Sequence, residues 1–375
     1  MPEKRVSWAE LFFDLVFIYA VTRISLLLGV DHTALGLLQA LVAFVPVYWL
    51  WVGAAIQTNH RDVTRPLMRL ALFAVALVAL FMALALPEVF ASSSERALLF
   101  AGAYWVGRLV LAAVSFSGPE HPIVSPYLVS LVVTAPLLVV GAVLPPDGRT
   151  ALWAVAAVAD LAAPRLLRSR LASNHFVAAH LAERFGLFVL IALGESVVVI
   201  GESAEEHRLD LATGAAVAGA FVLACALWWV YFHFAADAVR HALATAEAQL
   251  DIARTVLSYG HLSFIAAIIL VAVGLHEAVA HPTEELSPGY AYLLGGGVAL
   301  YLLSFGYTRW RMFRLLSTTR VTAGVVALAA TPVLPLIPAL AGLALLAVVV
   351  IVLNVYEWLS NDRIGWRFRL GRRAS

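Results

Sequence analysis

Long apolar runs separated by short polar segments dominate the hydrophobic pattern of this chain. Runs of about 20 apolar residues match the length that an α-helix needs to cross a bilayer. The segment TPVLPLIP (331–338) predicts a tight turn or a broken helix, because proline removes a backbone donor and clashes with the preceding turn. The pattern predicts twelve spans near 9–29, 35–56, 66–87, 96–117, 123–144, 150–167, 176–201, 211–235, 254–277, 289–309, 321–335 and 338–358.

The composition supports an all-α polytopic membrane protein. Hydrophobic residues make up 62% of the 375 residues and charged residues only 13%, whereas soluble domains carry about 25% charged residues. The single cysteine, Cys225, excludes an intrachain disulfide and a metal site built from several cysteines. The net charge of +1 gives no indication of nucleic-acid binding. We therefore expect no metal and no cofactor, and as partners the membrane lipids and a small ion, proton or small solute.

The basic residues predict the orientation of the chain in the membrane. Segments on one side of the predicted spans hold nineteen of the 25 Lys and Arg residues, and the opposite loops hold only Arg96, Arg149 and Arg208. The positive-inside rule then places both termini in the cytoplasm, with the first span retained as a helix. The nineteen residues are Lys4, Arg5, Arg61, Arg65, Arg69, Arg165, Arg168, Arg170, Arg240, Arg254, Arg309, Arg311, Arg314, Arg320, Arg363, Arg367, Arg369, Arg372 and Arg373.

The sequence also indicates an internal repeat. ELFFDLVFI (10–18) aligns with ERFGLFVLI (183–191), and YWLWV (48–52) lies near the corresponding place of LWWVY (227–231). An offset near 175 residues predicts two parallel six-helix repeats, at 1–172 and 173–375. The alternative is chance similarity, because apolar helices draw on few residue types.

Charged residues inside the predicted spans are the main candidates for function. The first span carries Glu10 and Asp14 on one helix face, with Arg23 about 13 Å further along at the helical rise. Each charge near the middle of a bilayer opposes insertion by at least about 2.5 kcal/mol. Such residues are therefore expected to face the interior of the helix bundle, where they can pair with one another.

The seventh span supplies partners for these charges: His180, Glu183 and Arg184 near its cytoplasmic end and Glu195 near mid-membrane. The repeat register predicts that Arg184 lies between Glu10 and Asp14, and that Arg23 pairs with Glu195. Carboxylates outnumber guanidinium groups in this set, and the surplus favours an ion or proton pathway. The alternatives are ion pairs that only fix the helix register and charges that lie at headgroup depth.

Five further residues are secondary candidates. Asp160 is expected to pair with Arg165, while Arg108 has no obvious local partner. His233 and Asp237 lie at i, i+4 spacing, and the ninth span holds a lone histidine. A metal would need further ligands at either place, so we expect these side chains to make helix contacts instead. The set is Arg108, Asp160, His233, Asp237 and His261.

Two motifs, ELFFDLVFIYAVTRIS (10–25) and HLAERFGLFVLIALGESVV (180–198), resemble the bacterial low-temperature-requirement A (LtrA) family. The resemblance covers most of the chain and implies a multi-pass protein of the bacterial inner membrane. It restricts the fold more than the function. The motif positions carried over are Glu10, Phe13, Asp14, Glu183, Arg184, Gly186, Gly194 and Glu195.

A fainter similarity links FFDLVFIYAVT (12–22) to the first-helix motif of the endolysosomal potassium channel family. That family implies parallel six-span repeats with the first helix lining a pore. The chain departs from the motif at Phe12 and at Arg23, whose charge would repel potassium. The similarity therefore predicts a shared architecture without potassium conduction. The matched positions are Phe13, Asp14, Phe17, Ala20 and Thr22.

The functional hypothesis is a transporter or an ion/proton pathway. In it, Glu195 is a midplane carboxylate with Arg23 as its counter-charge, and the remaining charges of spans one and seven form a cytoplasmic gate. The alternatives are a non-transporting membrane scaffold or sensor and an intramembrane enzyme acting on a lipid-like substrate. The sequence contains no nucleophile motif and no metal-binding motif that would support the enzyme hypothesis.

Overall fold

The computed structural model describes residues 4–117, 125–167, 176–205 and 209–371, without the side chains of Phe234 and of residues 361–371. The predicted repeat boundary at 172–173 and the basic residues Arg168, Arg170, Arg208, Arg372 and Arg373 lie outside the described residues. The described helices are α1 Trp8–Val30, α2 Ala34–His60, α3 Pro66–Ala85, α4 Glu95–Phe116, α5 Pro126–Ala142, α6 Pro146–Leu166, α7 Ala178–Glu205, α8 Leu211–Thr245, α9 Gln249–Ala280, α10 Pro288–Phe313, α11 Thr318–Ala330 and α12 Ala339–Gly371.

The all-α polytopic fold predicted from the hydrophobic pattern is confirmed. Ten helices of the described residues are long and apolar enough to cross a membrane, and α5 is a shorter apolar helix. The charged helix α6 is not among these ten, because its sequence is less apolar. The count of twelve spans and the repeat layout therefore stay predictions.

Local sequence signals explain where several helices begin and end. The Ser7 hydroxyl caps α1, the Thr33 hydroxyl caps α2, and prolines occupy the first turns of α3 and α10, where a missing amide hydrogen costs nothing. The predicted break in TPVLPLIP is a 3₁₀ turn over Thr331–Leu336, which follows α11. Most helix limits thus lie within a few residues of the predicted spans, but α8 and α12 extend about ten residues or more beyond the predicted ends at 235 and 358.

Three helices contain π-helical segments, in which backbone hydrogen bonds skip one extra residue. The segments are Ser130–Thr134 in α5, Tyr231–Ala235 in α8 and Ala253–Gly260 in α9. Such segments leave backbone carbonyls available to side chains and are frequent at functional sites. The Tyr48 hydroxyl donates to one such carbonyl, that of Ser258, at 2.8 Å.

The described chain forms two compact units, and the limits between them fall inside helices α7, α8 and α9. The first unit comprises Met1–Glu195 and Ala238–Ile269. In it, α1 packs against α2 and α3, α3 packs against α4, and α2 also contacts α4 and α6. Every residue of α2 from Val42 to Ala55 is buried, so this helix lies at the centre of the unit.

The second unit comprises Ser196–Asp237 and Leu270–Ser375. Helix α10 packs against α11, and the first part of α8 packs against α12. A bidentate ion pair joins α11 to α12, with Arg320 Nε and Nη2 each 2.9 Å from a Glu357 carboxylate oxygen. This pair neutralises a charge in the first turn of α11 and a charge within α12.

Close packing in the second unit depends on Gly274 of α9. A Cβ atom at this position would lie 2.5 Å from Leu294 Cβ and 2.9 Å from Leu294 Cα, whereas one at Gly296 would meet no atom within 4 Å. We expect Gly274→Ala to lower the melting temperature of the purified protein, because overpacking costs about 1–3 kcal/mol. Gly296→Ala is the matched control, since both variants gain the same helix propensity. Equal melting temperatures would contradict this account.

Candidate functional site

The first turn of α1 fixes the position of Glu10. One carboxylate oxygen, Oε2, accepts hydrogen bonds from the Ser7 backbone N–H at 2.9 Å and from the Ser7 hydroxyl at 2.8 Å. The Glu10 N–H donates back to Ser7 Oγ at 3.4 Å, which completes a capping box. The cap holds the Glu10 carboxylate in one orientation and leaves its second oxygen, Oε1, facing the interior.

Arg184 of α7 lies between the two acidic residues of α1, as the sequence predicted. Its Nη1 donates to Asp14 Oδ2 at 2.7 Å and to the Glu10 backbone carbonyl at 3.0 Å, while its Nε lies 3.8 Å from Glu10 Oε1. All three side chains are buried, with at most 1% exposed. Two carboxylates and a carbonyl thus replace the water that this guanidinium would otherwise need.

Aromatic rings enclose the pair formed by Arg184 and Asp14. The Trp51 indole N–H donates to the other Asp14 oxygen, Oδ1, at 2.8 Å. The Arg184 guanidinium carbon lies 5.6 Å from the centroid of the Trp51 ring and 5.8 Å from that of Phe13. Both distances fall within the range of cation–π attraction, so the rings stabilise the buried cation while excluding water.

His180 completes the arrangement, which we call the charge cluster: Glu10, Asp14, His180 and Arg184. His180 Nε2 lies 3.1 Å from Glu10 Oε1, and its Nδ1 lies 3.1 Å from the Asn59 amide nitrogen. The Val177 N–H donates to Asn59 Oδ1 at 3.0 Å, which assigns the amide orientation and makes Asn59 the donor to Nδ1. Neutral His180 then carries its proton on Nε2, facing Glu10.

Lys4 caps the C-terminal end of α2, next to the charge cluster. Its ammonium donates to the backbone carbonyls of Asn59 at 2.9 Å and Arg61 at 2.7 Å, so it caps the helix terminus where carbonyls lack partners. Partial burial lowers the pKa of Lys4, and the nearby Glu10 carboxylate opposes that shift. The cap therefore adds a positive charge beside Glu10.

The charge cluster is incompletely hydrogen-bonded. Two of its buried polar atoms, Arg184 Nε and Arg184 Nη2, make no hydrogen bond among the described residues, whereas Glu10 Oε1 and His180 Nε2 lie 3.1 Å apart as a pair. Native structures leave few buried polar atoms without a partner, so two on one guanidinium group need a reason. With neutral His180, the cluster also holds two negative charges and one positive charge.

A second buried network lies in the same unit and is built differently. Asp160 Oδ1 accepts from the Ser130 hydroxyl at 2.6 Å and from the Thr134 hydroxyl at 2.9 Å, and the Tyr104 hydroxyl donates to Oδ2. Arg108 Nη2 lies 3.5 Å from Asp160 Oδ2, and its Nε donates to the Tyr104 oxygen at 2.8 Å. Hydroxyl groups bind both oxygens of this carboxylate, whereas the carboxylates of the charge cluster bind a guanidinium, an imidazole and an indole.

This network corrects the predicted pair between Asp160 and Arg165. Arg165 is exposed, and Asp160 pairs with Arg108, the residue for which the sequence offered no partner. The reason is the helix rotation, since Asp160 faces the hydroxyl groups of α5 and the Arg108 side chain of α4. Sequence spacing along one helix favoured the local partner and missed the partners on neighbouring helices.

The predicted ion pair between Arg23 and Glu195 stays a prediction. The Arg23 guanidinium carbon lies 5.8 Å from the ring centroid of Tyr19. An aromatic ring four residues earlier shares the helix face of Arg23, which gives the cation a local partner. Glu195 is buried, with 3% exposed, whereas Glu183 is exposed and lies outside the charge cluster.

The remaining histidine candidates have local partners of their own. His261 of α9 is buried, and its Nδ1 lies 3.0 Å from the carbonyl of Val256, which belongs to the preceding π-helical segment. In the second unit, His233 and Asp237 are both exposed, and the His233 ring stacks on Trp229 at 5.0 Å. Within the described residues no three His, Cys, Asp or Glu side chains gather as a metal site.

Sequence reasoning missed the neutral residues that hold the charges in place. The sequence carries one signal that could have revealed some of them: Ser130 and Thr134 lie at i, i+4 spacing in an apolar helix, which puts two hydroxyls on one face. An indole or an amide gives no comparable signal, because its hydrogen bonds depend on helix rotation. The missed residues are Trp51, Asn59, Tyr104, Ser130 and Thr134.

Comparisons with known proteins agree with the resemblance seen in the two motifs. The family model described as Bacterial low temperature requirement A protein (LtrA) matches residues 5–355. An uncharacterized protein of Rhizobium meliloti (strain 1021), RA0937, is 30% identical over 314 residues, which cover 80% of this chain and 76% of the relative. No solved structure matches the chain. The similarity to potassium channels stays a resemblance of one motif. The aspartate of that motif, Asp14, forms an ion pair with Arg184 in this protein.

The hydrogen bond from Trp51 to Asp14 can be tested by Trp51→Phe, which keeps an aromatic ring and removes the N–H donor. We expect the variant to lose about 1–3 kcal/mol of stability, because a buried carboxylate oxygen loses its partner. The readout is the melting temperature of the purified protein. Trp49→Phe is the control, since the buried Trp49 indole makes no hydrogen bond among the described residues. Equal losses in both variants would show that ring volume alone matters.

Proposed function

The chain belongs to the bacterial low temperature requirement A (LtrA) family of multi-pass membrane proteins, and on that basis we propose that it is a transporter or an ion/proton pathway. The charge cluster of α1 and α7 is its proposed centre. This assignment moves the centre from Glu195 and Arg23 to these four residues, because Glu10, Asp14, His180 and Arg184 converge.

The single observation that carries the proposal is the buried Arg184 guanidinium, two of whose nitrogen atoms make no hydrogen bond among the described residues although two carboxylates and an imidazole surround it. An ion-pair network that served only to join helices would gain stability from satisfying these atoms. The Asp160 network illustrates that alternative, because hydroxyl groups bind both oxygens of its carboxylate. The charge cluster instead keeps two guanidinium donors without an acceptor, beside a carboxylate–imidazole pair that can exchange a proton.

The charges of the cluster suggest which species it handles. The cluster holds two carboxylates and an imidazole that can each bind a proton, beside the positive charges of Arg184 and Lys4, and this combination favours a proton. If His180 took the proton on Nδ1, the Asn59 amide would lose its acceptor and would have to turn away from Val177. Proton binding would thereby be coupled to the first turn of α7.

A membrane scaffold or sensor is the second candidate function. The observation that favours it is the Asp160 network, in which a buried carboxylate joins α4, α5 and α6 with every oxygen bonded. Such a network stabilises a helix bundle and needs no mobile ligand. Under this reading the charge cluster also fixes the helix register, and no solute crosses the membrane.

The proposed location is the bacterial inner membrane with both termini in the cytoplasm. The distribution of Lys and Arg along the sequence supports this orientation. It would place the Glu10 end of α1, with its Lys4 cap, at the cytoplasmic side. Protons or ions would then enter or leave the charge cluster from the cytoplasm.

Transport can be tested in proteoliposomes that contain dyes sensitive to pH and to potassium. We expect the wild-type protein to produce a flux and Glu10→Gln to reduce it to the level of empty liposomes, because the variant removes a charge of the cluster. Glutamine can still complete the capping box, so the helix start is retained. Glu183→Gln is the matched control, since Glu183 is an exposed carboxylate beside Arg184 on the same helix, and its flux should equal that of the wild type.

Two outcomes would contradict the proposal. A wild-type protein that moves neither protons, potassium nor common small solutes would favour the scaffold. A Glu10→Gln protein with wild-type flux would remove the charge cluster from the pathway. Melting temperatures of both variants distinguish a loss of transport from a loss of folding.

A further inference from the structure

A partly apolar pocket of about 90 Å³ lies in the first unit, on a different side of α2 from the charge cluster. We call it the arginine pocket, and its lining includes Trp49, Gly53, Arg108, Tyr127 and Arg254. Its volume is several times the roughly 10–15 Å³ that one water molecule needs by the same measure. The pocket therefore has room for a small molecule.

One wall presents an arginine donor that the protein does not use. Arg108 is 2% exposed; its Nε donates to Tyr104 and its Nη2 faces Asp160, but its Nη1 makes no hydrogen bond among the described residues. A Cβ atom on Gly53 would lie 3.1 Å from this Nη1, so the absence of a side chain at Gly53 leaves the donor open to the pocket.

The second arginine that lines the pocket is Arg254, in the π-helical segment of α9. Its Nη2 donates to Asp251 Oδ1 at 2.8 Å, whereas its Nη1 reaches only the Pro164 carbonyl, at 3.4 Å. That second distance is near the limit for a hydrogen bond, so the contact is weak. A better acceptor in the pocket could replace the carbonyl without disturbing the pair with Asp251.

The remaining walls are suited to a hydrocarbon group. Val52, Ile56, Phe176 and Leu250 line the pocket, and Trp49 stacks on Tyr259 at 5.9 Å behind it. Ligand sites of this kind bury an apolar body against such walls and fix its orientation with a few polar groups. Two guanidinium donors repel cations and match the oxygens of a carboxylate or phosphate.

We propose that the arginine pocket binds a small organic anion, with a carboxylate or phosphate group held by Arg108 and Arg254 and an apolar body held by the aromatic and aliphatic walls. The oxyanion would accept from the Nη1 atoms of both arginines. This site does not depend on transport by the charge cluster. Its ligand could be a free amphiphilic acid or the anionic headgroup of a lipid, since both present the same chemistry.

The test measures binding by isothermal titration calorimetry to the full-length protein in nanodiscs of phosphatidylcholine, a zwitterionic lipid. The probes are benzoate and phenyl phosphate, with uncharged benzyl alcohol for comparison. We expect saturable binding of the two anions only. Arg254→Gln should weaken it by at least about tenfold, because a charge-assisted hydrogen bond is lost. Arg165→Gln is the matched control, since Arg165 is an exposed arginine next to Pro164, and it should bind like the wild type.

A second variant tests the pocket without changing a charge. Ile56→Trp places a larger side chain in the pocket wall and should abolish binding while the two arginines stay in place. Nanodiscs that contain anionic phosphatidylglycerol distinguish the two sources of ligand. Weaker benzoate binding in them identifies the lipid headgroup as the occupant, and unchanged binding identifies a free acid.

Three results would overturn the proposal: no saturable binding of either anion, equal affinity in Arg254→Gln and Arg165→Gln, or benzyl alcohol binding as tightly as benzoate. Melting temperatures confirm that each variant is folded. Because calorimetry measures binding and not flux, a failure here leaves the proposed transport function unaffected.

Discussion

The buried guanidinium of Arg184 is the group on which the arrangement of the first unit depends. A cation without partners would be too costly inside a membrane bundle, so α1 must present the Asp14 carboxylate and the Glu10 carbonyl at the right height. Trp51 must then rotate its indole towards Asp14. These requirements fix α1, α2 and α7 relative to one another more strictly than apolar packing, which tolerates sliding.

Helix α2 separates two polar regions with different properties. Trp51 and Gly53 are two residues apart, which on an α-helix places them about 200° apart around the axis. Trp51 therefore faces the charge cluster while Gly53 faces Arg108. The cluster is closed and under-bonded, whereas the arginine pocket is larger and mostly apolar. One buried helix can thus serve a charge-handling centre on one face and a ligand site on the other.

The sequence allowed the helical fold and the central charges to be predicted, but not most of their partners. Span length and apolarity reveal helices directly, and a charge inside a span must face the interior, which identified Glu10, Asp14, His180 and Arg184. Pairing between helices depends on rotation and on neighbours far along the chain. The helix rotation that joins Asp160 to Arg108 left no trace in the spacing of residues, which favoured Arg165 instead.

The ion pair of Asp14 with Arg184 has a consequence for the biogenesis of the protein. The two residues are 170 positions apart, so a ribosome working at about 5–20 residues per second makes Asp14 about 10–30 s before Arg184. During that interval α1 must enter or wait beside the bilayer with its carboxylates unpaired. The insertion machinery, or a protonated state of these acids, has to protect α1 until α7 arrives. Docking of α7 then becomes the step that commits the first helix to the membrane.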